Sequence, residues 1–161
     1  MLSWTRCERL GSTGSAPAVD AFDADVLIYA AVSGHPLGRR IRALFPPGPV
    51  ATDRSLAGIG SVLLLPELLS KPLRDGASGE LAELGALLGR LDLIVTDEAT
   101  ADLATALAAV HGLHAADAVH LATAVKAGAD RFFTNNKRDF PKSISEIDVT
   151  YPDDLPDVDQ S

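Results

Sequence analysis

The feature that most restricts the fold of this chain is an alternation. Short apolar, β-compatible runs at residues 18–22, 60–65, 91–95, 131–134 and 147–151 are separated by stretches whose apolar residues recur at helical spacing. Strands that alternate with helices form a mainly parallel sheet covered on both faces, because each crossover lays a helix on one side or the other. The expected fold class is therefore α/β, a three-layer α/β/α sandwich. With 161 residues and only 5% aromatic side chains, the chain supports one domain whose core is built from Leu, Val, Ile and Ala.

The helical stretches carry their own punctuation. Leu37, Ile41 and Leu44 mark a short helix over residues 37–45, with Arg39, Arg40 and Arg42 on its other faces, and Pro46-Pro47-Gly48-Pro49 ends it. A helix is expected to begin near Pro66, where a missing N–H costs nothing, and to close at Lys71-Pro72 and Asp75-Gly76. Ser78 is expected to cap the next helix, with Leu81, Leu84, Leu87, Leu88 and Leu91 as its packing face. Thr96 or Asp97 caps another, in which Leu103, Leu107 and Val110 face inward before Gly112 stops it. The last long helix covers residues 115–127 and sets Asp117 on the same face as Leu121 and Ala124.

Parallel strands share one carboxyl edge, and open α/β sheets keep their ligand sites there. Asp23 follows the first strand, Glu67 lies in a first helical turn just after the second, and Thr134 ends the fourth. Asp117 comes from a helix packed beside them. Taken singly, each acid has an ordinary explanation as a cap or as a favourable charge near a helix N-terminus. Taken together, converging carboxylates repel one another and drive their pKa values upward unless a cation neutralises them. Oxygen-only donors select Mg2+ or Mn2+ over zinc. Such an ion can polarise a phosphoryl oxygen and activate water, so phosphodiester hydrolysis is the expected chemistry.

The formal charge of −8, from 14 Lys and Arg against 22 Asp and Glu, excludes a protein that holds nucleic acid by bulk positive field. It leaves open an enzyme that reaches phosphate through bound cations. The single Cys7 permits neither an internal disulfide nor a thiolate zinc site, so a reducing, cytoplasmic setting is expected. No apolar run reaches the roughly 20 residues of a membrane helix, and no membrane association is expected. Residues 1–17 read as a loose leader without signal-peptide character, residues 18–151 as the folded domain, and residues 152–161 as a frayed acidic tail.

Four pieces, in order and in register, resemble the PIN domain family and, within it, the VapC-type toxin ribonucleases. They are Phe22-Asp23-Ala24-Asp25-Val26-Leu27-Ile28-Tyr29-Ala30, Ser61-Val62-Leu63-Leu64-Leu65-Pro66-Glu67-Leu68-Leu69, Ala116-Asp117-Ala118-Val119-His120-Leu121-Ala122-Thr123-Ala124 and Phe133-Thr134-Asn135-Asn136-Lys137-Arg138-Asp139-Phe140. The resemblance implies Mg2+- or Mn2+-dependent cleavage of RNA, with Asp23, Glu67 and Asp117 as the catalytic acids and metal ligands. It also implies Thr134 as a support to the first acid, homodimerisation, and inhibition by an antitoxin partner. Two positions depart from the family pattern. The fourth acid of many relatives falls on Asn136, and Asp25 stands where Asn or Ser is usual, so that Asp25 or Asp139 could restore the missing charge. Lys137 and Arg138 are the best-placed cations for substrate phosphates. His120, one turn after Asp117, could pair with it or serve as a structural histidine, and His111 and His114 read as helix-end residues.

Two other functions use the same residues. Asp23-x-Asp25 with Thr134 is similar to the opening motifs of haloacid-dehalogenase-type phosphatases, although the later lysine and acidic pair have no room in the remaining chain. A binding module that retains the fold without catalysis is the other reading, supported by Asn136 and the acidic surface.

Overall fold

The computed structural model describes residues 18–48 and 55–158. The expected leader at 1–17, part of the loop at 46–60 and the last three residues lie outside the described residues. Five strands, β1 (Asp20–Phe22), β2 (Gly58–Ser61), β3 (Leu91–Ile94), β4 (Arg131–Phe133) and β5 (Asp148–Thr150), form one sheet in the order β3-β2-β1-β4-β5. Every pairing is parallel. The chain winds outward from β1 through β2 to β3 and then returns to the other side of β1. The reversal therefore falls between β1 and β4.

Six helices cover the sheet: α1 (Ala24–Ala31), α2 (Pro36–Arg42), α3 (Leu64–Asp75), α4 (Ser78–Leu88), α5 (Glu98–His111) and α6 (Ala115–Lys126). The alternation of side chains along a strand divides the core in two. Phe22 and Phe133 pack with Val26, Ile41, Leu64 and Leu84 on the face of α1 to α4, while Ala21 and Phe132 pack with Leu107, Leu121 and Phe140 on the face of α5 and α6. This is the three-layer sandwich expected from the alternation. Among the described residues, no helix is long and apolar enough to cross a membrane.

Several local expectations change on folding. Helix α1 has no counterpart in the sequence reading, because its apolar residues form a nearly continuous run rather than a stripe. It docks closely on α2: a Cβ on Gly38 would sit 1.9 Å from the Tyr29 carbonyl oxygen, so only glycine fits there. The second strand ends at Ser61 rather than Leu65, since Ser61 Oγ accepts the Leu63 N–H at 3.1 Å and turns the chain into α3 two residues before Pro66. Pro72 lies inside α3, and Gly76, at φ 65°, ends that helix. Ala77, not Ser78, is the N-cap of α4, and it makes no side-chain capping bond. Val110 is 72% exposed instead of inward, whereas Leu107 is buried.

The arginines of α2 are engaged within the molecule. Arg42 donates to the Ala30 carbonyl at 2.6 and 2.9 Å and pairs with Glu83. Arg40 donates to the carbonyls of Asp153 and Leu155 and pairs with Asp157, and Arg39 donates to the Val158 carbonyl. Much of the stretch expected to fray is thereby held, beginning with a 3-10 helix at Pro152–Asp154. The two described ends of the 46–60 loop are tied together by Arg90, which donates to the carbonyls of Gly48 and Ser55.

Candidate active site

The site begins where β1 becomes α1. Asp23 has extended backbone angles and is the N-cap of α1; its Oδ1 accepts the Ala24 N–H at 2.8 Å. Its own N–H donates to the Phe133 carbonyl, and Thr134 Oγ1, at the end of β4, donates to its Oδ2 at 2.8 Å. The carboxylate is thus fixed at the point where the winding reverses. Only 6% of the residue is exposed. Burial raises its pKa, against which the field of His120 and the Thr134 bond act in the opposite direction.

Three more carboxylates face the same hollow, each from a first helical turn. Asp25 follows in α1; its Oδ2 accepts the Asn135 N–H at 2.9 Å, while its Oδ1 is buried with no hydrogen-bond partner among the described residues. Burial, reinforced by Asp23, pushes its carboxyl up to about 6. Asp117 opens α6, and its carboxyl is raised by burial and then by Asp23 and Asp139. Glu67 comes from α3, with both carboxylate oxygens 3.1 Å from His120 Nε2. The hollow encloses about 390 Å3 and is lined by Asp23, Ala24, Asp25, Ile28, Glu67, Asp117 and Asn136. Among the described residues, no lysine or arginine lines it.

The donor set is all oxygen and strongly negative, which suits a hard divalent cation. Carboxylates gathered in one hollow, with Asp23, Asp25 and Asp117 raised first by burial and then by neighbouring carboxylates, and one orphaned buried oxygen on Asp25, are what an ion would relieve. Among the described residues, no three Asp, Glu, His or Cys side chains stand close enough together to hold a metal ion as they are arranged. A Mg2+ or Mn2+ ion here would keep water on part of its shell, as Mg2+ commonly does. Asp23, Asp25, Glu67 and Asp117 are the carboxylates lining the hollow that would receive it.

Some residues foreseen in the sequence are placed otherwise. His120 bonds to Glu67, not to Asp117, because α6 packs against β2 and brings its buried face up to the start of α3. Asn136 lines the hollow, but its side chain also exchanges hydrogen bonds with Asp139, donating from Nδ2 at 2.9 Å and accepting the Asp139 N–H at 3.3 Å. Lys137 pairs with Asp153 at 2.7 Å and lies over the Tyr151 ring, directed toward the C-terminal segment, and Arg138 is exposed. The roles of Ala24 and Ile28 as lining escaped the sequence reading, since small and apolar residues in an apolar run carry no distinguishing signal. A second hollow of about 440 Å3, between α1 and α4, has Glu80 and Glu83 as its charged lining groups among the described residues. It offers no comparable chemistry.

The fold and the position of this site can be set beside known proteins. A toxin-antitoxin complex from Klebsiella pneumoniae contains a chain that superposes with a TM-score of 0.63 at 23% identity, covering 84% of this chain and 98% of that one. VapBC2 from Rickettsia felis, bound to a DNA fragment from its promoter, gives a TM-score of 0.62 at 16% identity, covering 83% and 98%. At these identities the likeness is one of fold. No curated protein matches the chain. Residues 21–143, which include Asp23, Glu67, Asp117 and Thr134, match the PIN domain model, and the chain belongs to the PIN domain family.

Proposed function

We propose that this protein is a metal-dependent ribonuclease of the VapC type, hydrolysing RNA phosphodiester bonds with Mg2+ or Mn2+. The observation that carries the reading is the convergence of Asp23, Asp25, Glu67 and Asp117 on one hollow at the winding reversal, within a chain of the PIN family. A bound divalent ion would supply charge neutralisation on a phosphoryl oxygen and a more acidic attacking water. In this reading Asp23 and Asp117 would be the direct ligands of the ion, and Thr134 keeps the Asp23 carboxylate in one orientation. Glu67 would complete the ion's acidic surroundings from the rim, where its side chain is 33% exposed. Asp25 adds charge that Asn136 does not bring. Arg138, two residues after Asn136 and exposed, is the cation offered to substrate phosphates in this reading.

An antitoxin partner belongs to the same proposal, because a similar solved structure, from Klebsiella pneumoniae, is a toxin-antitoxin complex. Homodimerisation and a cytoplasmic setting follow from the family resemblance and the lone cysteine. The phosphatase reading is set aside by the family assignment. The binding-module reading keeps one supporting observation, the neutral Asn136 bonded to Asp139.

Purified protein incubated with structured RNA decides between the two. Cleavage that needs Mn2+, stops with chelator and disappears in Asp117→Asn supports the nuclease. RNA left intact by wild type across Mg2+ and Mn2+ overturns it in favour of the binding module.

A further inference from the structure

We propose that His120 is a positioning residue, whose Nε2–H holds the Glu67 carboxylate at the mouth of the acidic hollow. The inference rests on the nuclease reading for the purpose of that carboxylate, but its geometry stands on its own. His120 is 3% exposed and comes from α6, one turn after Asp117. Its Nε2 faces both oxygens of Glu67 at 3.1 Å, so that nitrogen carries the proton. Its Nδ1 is buried with no hydrogen-bond partner among the described residues.

Those facts separate His120 from a packing residue. Burying an imidazole with one nitrogen unsatisfied costs stability that a leucine of similar bulk would not. The bond to Glu67 is the polar contact that offsets this cost. Glu67 gains the larger share: a glutamate on a partly exposed helical turn samples many rotamers, and a donor fixed in the core selects one. Losing a hydrogen bond of this kind to a metal-site carboxylate typically costs about 10- to 100-fold in ion affinity.

The test is a double-mutant cycle on the full chain, with Mn2+ binding read by electron paramagnetic resonance of the free ion and RNA cleavage measured in parallel. His120→Leu should weaken Mn2+ binding by about tenfold, while the metal-free melting temperature holds or rises. His120→Gln, which keeps an N–H donor, should recover most of the affinity. In a Glu67→Gln background, His120→Leu should add no further loss. Equal Mn2+ affinity in His120→Leu and wild type, or a His120→Leu penalty undiminished in the Glu67→Gln background, overturns the proposal.

A metal-free measurement serves if His120→Leu does not fold. In 15N-labelled wild type the His120 Nε2 proton should exchange slowly with solvent and become fast in Glu67→Ala; a fast or absent proton in wild type overturns the proposal. Mn2+ binding with a coupled cycle but no RNA cleavage would remove the nuclease reading alone. Cleavage with an additive cycle would remove this inference alone. A wild type that binds no Mn2+ removes both.

Discussion

Two aspartates on the first strand and its end, Asp20 and Asp23, are almost equally buried, at 5% and 6% exposed, and are treated in opposite ways. Asp20 is met by Arg131 on the neighbouring strand, with Nε and Nη2 donating to its two oxygens at 2.7 and 2.9 Å. Asp23, three residues on, accepts from neutral donors among the described residues, and around it stand His120 and the carboxylates of Asp25, Glu67 and Asp117, with no arginine or lysine lining the hollow. A protein that can neutralise a buried carboxylate with its own arginine, and does so three residues earlier on the strand, leaves the second one for a ligand. That contrast is the strongest reason to regard the hollow as functional.

The largest effect expected from this contrast is on Asp23→Asn. Its RNA cleavage should fall by at least about 100-fold, or ~3 kcal/mol of lost charge stabilisation, under single-turnover conditions. Its metal-free stability in urea should rise by about 1 kcal/mol, because Asn remains a good N-cap and the uncompensated charge is gone. Asp20→Asn should behave the other way. It leaves Arg131 half-paired and should lose about 2 to 3 kcal/mol of stability, while its folded fraction still cleaves. Stability changes of the same sign in the two variants would break the comparison.

A pH series sharpens it further. Asp25 ionises near 6 in the folded chain, above the ordinary 3.8, so the native state binds the proton more readily than the unfolded chain does. Its contribution to stability is present at low pH and is lost as pH rises from about 4 to about 6, on the order of 2 kcal/mol. Urea titrations of wild type and Asp25→Asn should diverge across that window, with the variant flatter. Added Mn2+ should remove the divergence by making the ionised form the favoured one. The smallest effect belongs to Thr134→Val, which deletes one hydroxyl donor to a buried carboxylate. It should cost about 1.5 kcal/mol in urea unfolding.

Much of this arrangement was legible before folding. The layers followed from the alternation of strand-like and helical runs. Glu67 and Asp117 were placed in first helical turns by proline, glycine and apolar spacing, although α3 begins two residues earlier than proline chemistry alone suggests. What escaped was of two kinds. Helix α1 was hidden because an apolar helix buried on most sides shows no stripe. The partners of Asp20 and His120 were hidden because they are long-range: Asp20 and Arg131 stand opposite one another in the β1–β4 register, 111 residues apart in the chain. Helical spacing offered Asp117 as a partner for His120, and packing of α6 on β2 gave it Glu67.

The sequence by itself determined the kind of sheet, the edge on which Asp23, Glu67 and Asp117 would gather, and the oxygen-only chemistry of that edge, because each depends on local periodicity and residue type. Tertiary structure decided which acids are neutralised from within. Charge pairing depends on which strands and helices become neighbours, and the free energy of a buried carboxylate is set by those neighbours rather than by its place in the chain.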